Sequence, residues 1–232
     1  MSENFTPEDH QTVTRVIRQR RTFKVIGCVD APVQFDLQYA EKNRAIVLES
    51  VKSADSAPFH YDRQCENVPQ PWRVDILWHE SCQKVAANFY QWFDDVKPGN
   101  KLPSMLSACG ACVLVSWLPQ FSNSVSQDAS SSTVPKAKQI QIDQEHLAAA
   151  SAYVQNLMLL LTAANMGTYW SSGGQFRTTE MMDRLSMAAP RQLLAAVFVE
   201  FPNTNMNEIQ RVPGKLAEAR SSPDRWMNIV QL

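Results

Sequence analysis

The chain has 232 residues, 44% of them hydrophobic, with 22 basic against 23 acidic side chains and a net charge of −1. That length and apolar content suit one sizeable core, read as one domain over residues 1–232. The charge balance gives no electrostatic footprint for nucleic acid, and the N-terminal SENFTPEDH has no apolar secretory stretch, so a cytoplasmic protein is expected.

In chain order, Thr6 is placed to cap a first helix, Pro7 suits its first turn, and Glu8 and Asp9 complement its dipole. Val13, Val16 and Ile17 would form its buried face, and Arg15, Arg18, Arg20 and Arg21 gather at its end before Thr22. A second helix is predicted over 36–54, with Leu37, Ala40, Ile46, Val47 and Val51 buried. Pro58 stops it, and prolines 58, 69 and 71 mark 55–71 as a loop. Val74, Ile76 and Trp78 alternate in a strand over 72–78, an amphipathic helix follows over 80–93, and a strand over 112–118. Residues 119–139, rich in Ser, Gln and Lys, are expected to form a mobile loop.

From Leu147 to Phe176 no residue is charged. A central helix is predicted over about 143–166; its uncharged part, about 20 residues, would be about 30 Å long. A helix apolar on nearly every face belongs in a core, an interface or a membrane. Gln155, Asn156, Thr162 and Asn165 lie within it, and no Lys/Arg cluster flanks it, which argues against a span. Directly after it, Tyr169-Trp170-Ser171-Ser172-Gly173-Gly174 forms an elbow rich in backbone donors, suited to a flat ligand. A short helix over 177–187 and an apolar strand over 193–201 follow. Strands and helices do not alternate regularly, so the fold class is α+β, with helices packed on a small sheet.

Five cysteines, an odd number, argue against a secreted disulfide framework. Cys109-Gly110-Ala111-Cys112 has the C-x-x-C spacing, but it leads into a strand, whereas a thioredoxin-like site opens a helix. No second Cys/His pair is spaced for zinc. Both cysteines read as small core residues, and no metal is assigned.

Arg20-Arg21-Thr22 offers two fork-shaped donors and a hydroxyl in a turn, a grip suited to phosphate oxygens. Ser56-Ala57-Pro58-Phe59-His60 and Gln70-Pro71-Trp72 form a proline-stiffened loop that carries polar side chains into a strand. No GxSxG, HExxH, P-loop or GxGxxG is present, so hydrolase, metalloprotease and Rossmann dehydrogenase readings have no residues behind them.

Taken in order, these marks resemble the nitroreductase family of FMN-dependent flavoproteins. They are Arg20-Arg21-Thr22 after the first helix, Ala57-Pro58-Phe59-His60 running to Gln70-Pro71-Trp72, the long helix ending in Gly167-Thr168-Tyr169-Trp170-Ser171-Ser172-Gly173, and Arg211-Val212-Pro213. They extend over about 12–216, and the short form looks most like the small single-domain bacterial members. The resemblance implies a nitroreductase-like α+β fold. Its central mixed or antiparallel sheet is flanked by helices, and its long buried helix lies at a homodimer interface.

By the same resemblance, Arg20, Arg21 and Thr22 would hold the FMN phosphate and ribityl chain, with Arg211 closing the anion site. Trp170, Ser171 and Ser172 would lie against the isoalloxazine or its tail. Ser56 and His60 match positions that in the family reach the flavin from the neighbouring subunit. The implied reaction moves a hydride from NADH or NADPH to flavin N5 and on to nitroaromatic, quinone or related acceptors in a ping-pong cycle, with no catalytic protein nucleophile. Two departures stand out. The segment 61–69 is longer than in the short relatives, which bears on His60 and would let it cover the ring, and 24–33 carries no nicotinamide signature. Two other readings are a flavin-binding relative without reductase activity, such as a carrier or flavin-consuming enzyme, and a non-flavin dimeric interaction protein.

Overall fold

The structure is a computed structural model and describes residues 4–63, 67–93, 96, 99–121, 134–187, 191–202, 209–214 and 219–230. In chain order its elements are α1 (Pro7–Gln19), β1 (Phe23–Ile26), α2 (Leu37–Ala54), β2 (Trp72–Trp78), α3 (His79–Trp92) and α4 (Lys101–Leu106). Then come β3 (Ala111–Trp117), α5 (Lys136–Ala163), β4 (Gly167–Ser171), α6 (Thr179–Arg184), β5 (Gln192–Glu200) and β6 (Gln210–Pro213).

Four strands pair in the order β2-β3-β5-β4, antiparallel at every step. Both faces of this sheet are covered, so its middle strands read as unbroken apolar runs, a pattern that double burial imposes. On one face Val113, Val115 and Val197 meet Val47 of α2 and Tyr153, Val154, Leu157 and Leu161 of α5. On the other, Cys112, Leu114, Ala196 and Phe198 meet Cys82, Val85 and Phe89 of α3 and Leu106 of α4. β1 and β6 form a separate two-stranded antiparallel ribbon, with Phe23 opposite Pro213 and Val25 opposite Arg211. An isolated parallel bridge between Thr22 and Thr168 joins this ribbon to the start of β4.

The predicted boundaries of α2, β2, α3, β3 and β5 agree with the structure within one residue or so. Thr6 and Asp9 form a complete capping box at the start of α1, and Asp36 caps α2 through the amides of Gln38 and Tyr39. Burial departs from expectation in two places. No residue of α1 is buried, Val13 and Ile17 being 57% and 52% exposed, because among the described residues α1 touches α5 without its apolar face being covered. Leu37, in the first turn of α2, also stands exposed.

α5 runs over 28 residues, starting well before the predicted helix and absorbing 136–139 from the expected loop. Its Lys- and Gln-rich first turns are good helix formers whose polarity reads as loop. Residues 122–133 of the expected loop lie outside the described residues. α5 ends earlier than predicted in a Schellman closure: Met166 N–H donates to Leu161 O at 2.9 Å and Asn165 N–H to Thr162 O at 3.0 Å, with Asn165 at φ 59°. Of the elbow predicted at 169–174, residues 169–171 therefore belong to strand β4, and the turn falls at Ser172, Gly173 and Gly174, whose glycines have φ 103° and 53°. The predicted 177–187 helix is a 3₁₀ turn, Gly174–Arg177, followed by α6. Burial of α5 is one-sided in the single chain, since Leu147, Ala148 and Gln155 stay exposed. Among the described residues no helix is long and apolar enough to cross a membrane.

Cys109 lies in the turn before β3 and Cys112 inside the strand, both buried near Cys82 of α3. Burial raises the Cys82 and Cys112 thiols well above their usual range, which leaves them protonated and unreactive.

Candidate functional site

α1 ends at Arg20, and the chain turns into β1 through Arg21 and Thr22. Arg20 Nη1 donates to Thr22 Oγ1 at 3.3 Å, while Arg21 Nη1 donates to the carbonyls of Arg18 and, at 3.0 Å, Arg20. Among the described residues neither guanidinium has a carboxylate partner. Partial burial lowers the Arg20 pKa, and the charges of Arg220 and Arg21 lower it further. Like charges held together without an acidic neighbour form a place where an anion is stabilised. Arg220 was not among the residues that the sequence singled out; in the sequence it is one cation in a polar C-terminal segment.

The bridge from Thr22 to Thr168 brings this cationic turn beside β4. Trp170 is half-buried and packs against the core on the α5 face of the sheet. Ser171 Oγ accepts from Gly173 N–H at 3.2 Å, and Ser172 is exposed. The 20–22 group thus lies beside the start of the strand that carries Trp170 and Ser171.

Ser56 and His60 sit elsewhere, in the loop after α2. Asp55, the last residue before that loop, accepts from Gln70 Nε2 at 3.3 Å and from Trp72 Nε1 at 3.2 Å. Gln-Pro-Trp therefore closes the base of the 56–70 excursion onto α2. Asp55 was missed in the sequence because a carboxylate before a proline turn has no motif of its own. His60 is exposed, edge-on to Tyr61 at 5.0 Å, beside a cleft of about 270 Å³ lined by Phe59, Glu145, Ala148 and Ala152. Among the described residues no hydrogen bond, ion pair or ring contact joins 56–60 to 20–22 or 170–172 within the chain.

The longer 61–69 segment folds back on the body of the chain; its residues 64–66 lie outside the described set. Arg63 N–H donates to Pro69 O at 2.9 Å. The Arg63 guanidinium donates to Leu118 O at 3.0 Å and Pro119 O at 2.9 Å. From the other side Asp143 of α5 accepts the amides of Gln120, at 2.7 Å, and Phe121, at 3.2 Å. The strip 118–121 is therefore clamped by its carbonyls and by its amides. Lys138 Nζ donates to Tyr61 Oη, adding a tie from the first turns of α5. His146, 1% exposed, lies in the same region, with the backbone of Leu118 and Tyr61 beside its ring. Burial lowers its pKa; Asp143 opposes that shift and Arg63 adds to it.

Arg211 faces Glu200, the last residue of β5. Its Nε donates to both Glu200 oxygens, at 2.8 and 3.1 Å, and its Nη2 to Oε1. The Glu200 side chain is 4% exposed. As the sole charge in the apolar run 193–201, Glu200 carried a signal in the sequence that was not taken up.

No family model matches this sequence, and no curated protein matches it. Its structure is similar to those of nitroreductase-like proteins over nearly the whole chain. A nitroreductase-like family protein from Bacillus cereus shares 18% identity at a TM-score of 0.63, with 100% of this chain and 99% of that one covered. The nitroreductase CinD from Lactococcus lactis, in complex with chloramphenicol, shares 14% identity at a TM-score of 0.63, covering 94% and 99%. A protein from Desulfovibrio desulfuricans assigned as a nitroreductase and holding FMN shares 18% at 0.51, covering 87% and 89%. The chain has the nitroreductase-like fold, as the order of its sequence marks implied.

Proposed function

We propose that the protein is an FMN-dependent oxidoreductase that takes electrons from NADH or NADPH and passes them to nitroaromatic, quinone or related small acceptors. The observation that carries this reading is the cationic turn at Arg20 and Arg21, without acidic partners among the described residues, tied through Thr22 and Thr168 to the Trp170-Ser171-Ser172 segment. That donor set fits a phosphorylated flat cofactor: fork-shaped cations for the phosphate, a hydroxyl for the sugar chain, an indole and backbone donors for the ring. Bound FMN would supply the hydride-accepting and hydride-donating ring, for which the chain offers no substitute. Arg20, Arg21 and Thr22 would hold the phosphate end, and Trp170, Ser171 and Ser172 the ring end. FMN in a structure with the same fold supports the assignment.

Ser56 and His60 would belong to the site of a second copy in a homodimer. In support, among the described residues no hydrogen bond, ion pair or ring contact joins them to the other candidate residues of their own chain, and this chain leaves much apolar surface bare. Phe5, Trp226, Met227, Ile229 and Val230 are more than half exposed, as are Val13 and Ile17 of α1. Apolar surface on that scale is covered in a working protein.

A visible absorbance spectrum of the freshly purified protein tests the reading. Flavin bands, release of FMN on denaturation and consumption of NADH or NADPH with a quinone are expected. A colourless protein whose spectrum added FMN does not alter overturns it, and a yellow protein that consumes neither nucleotide reduces it to flavin binding.

A further inference from the structure

Arg211 was expected to close the anion site, yet its guanidinium is committed to a buried carboxylate. Glu200 stands opposite Gly167 in the β4–β5 ladder and covers the start of β4 so closely that a Cβ on Gly167 would lie 2.6 Å from its Oε2. The next residue, Thr168, carries the bridge to Thr22. Between ribbon and sheet there is no other ladder among the described residues. The ion pair and the Thr22–Thr168 bridge therefore stand together at the joint that sets where Arg20, Arg21 and Thr22 lie.

We propose that Glu200 and Arg211 are a positioning pair: Arg211 is the tie by which Glu200 holds the β1–β6 ribbon, and with it the cationic turn, against β4. The proposal rests on the flavin site described above. Arg211 turns Nε and Nη2 to Glu200, so a phosphate that drew those two donors away would strand that carboxylate, buried and unpaired, at a cost above the gain from one charge-assisted contact. Arg20 and Arg21 carry no such debt, having no carboxylate to abandon among the described residues. Arg211 thus acts through the ribbon it anchors.

The test compares FMN and riboflavin affinities by flavin fluorescence, so that their ratio reads the phosphate contribution alone. It also follows amide exchange of 23–26 and 210–213. The variants are Arg20→Ala, Arg211→Lys and the charge-free pair Glu200→Gln with Arg211→Gln, which avoids an unpaired buried charge. Arg20→Ala is expected to cut the riboflavin-to-FMN Kd ratio at least about tenfold. The double variant is expected to lower the ratio as well, because the cationic turn is no longer held in place, and to speed ribbon exchange about tenfold with the main sheet unchanged, a change that Arg20→Ala does not produce. Arg211→Lys, which keeps the ion pair, restores both readouts. A ratio that falls in the double variant while ribbon exchange stays as in the unaltered protein makes Arg211 a phosphate ligand and overturns the proposal, as does faster ribbon exchange with an unchanged ratio. If the unaltered protein binds neither flavin, the functional reading fails, and ribbon exchange alone decides whether the pair is the tie.

Discussion

Trp72 donates its indole N–H to Asp55 Oδ1 at 3.2 Å, so the residue that opens β2 is fastened to the residue that ends α2. The same indole stacks obliquely on Tyr153 of α5, with ring centroids 5.4 Å apart. One side chain therefore fixes the base of the loop that carries Ser56 and His60 and also the distance from that base to the central helix. Replacing Trp72 by Phe keeps the ring contact but removes the donor. A loss of about 1 kcal/mol is expected, the ordinary net worth of one hydrogen bond. Urea denaturation checks it, and Asp55→Asn in the Phe background should add little.

The clamp on 118–121 makes a second expectation. Arg63→Ala removes a charged donor from the carbonyls of Leu118 and Pro119. The predicted cost is about 1–3 kcal/mol, with faster amide exchange at Gln120 and Phe121. If 61–69 is a flavin lid and nothing more, stability is unchanged and only acceptor preference moves.

Arg20→Ala removes a charge-assisted phosphate contact worth about 1.5–3 kcal/mol, so FMN should dissociate about 10- to 150-fold more readily. Flavin occupancy after extended dialysis measures it. Occupancy equal to that of the unaltered protein removes Arg20 from the site.

Acid pH should weaken the fold. Burial is the leading cause that lowers the pKa of both His79 and His146 below the ordinary 6.5. As pH falls through that value, the unfolded chain takes up protons that the folded chain refuses, so stability declines. The contribution is complete above the unfolded value and shrinks below it until the folded histidines titrate. The urea midpoint should therefore fall between about pH 7.5 and pH 5.5, and His146→Gln should flatten part of that slope. A midpoint that rises on acidification contradicts the assignment.

Much of this arrangement was legible because local chemistry and tertiary structure agree. Thr6 and Asp9, Asp36, and the apolar runs of β3 and β5 each announce themselves within a few residues. β1 and β6 were invisible for the opposite reason: FKVI and QRVP are too short to show a period, and each becomes a strand only by finding the other. The face of α1 was misjudged because amphipathicity tells which side is apolar, not whether a neighbour in the same chain covers it. Arg20, Arg21, Thr22 and Trp170 were singled out through their order along the chain. Glu200 and Asp55 went unnoticed because their roles depend on partners such as Arg211 and Trp72, reached only through the fold.

The ribbon has one more consequence. Its two strands, Phe23–Ile26 and Gln210–Pro213, are separated by more than 180 residues of chain. Pairing across such a separation is among the costliest contacts to close, and it is made late. During synthesis the turn at Arg20 leaves the ribosome well before its opposing strand and waits for it. A chain interrupted anywhere before 210 lacks that strand however well its helices have folded, so the corner proposed to hold an anion stays open.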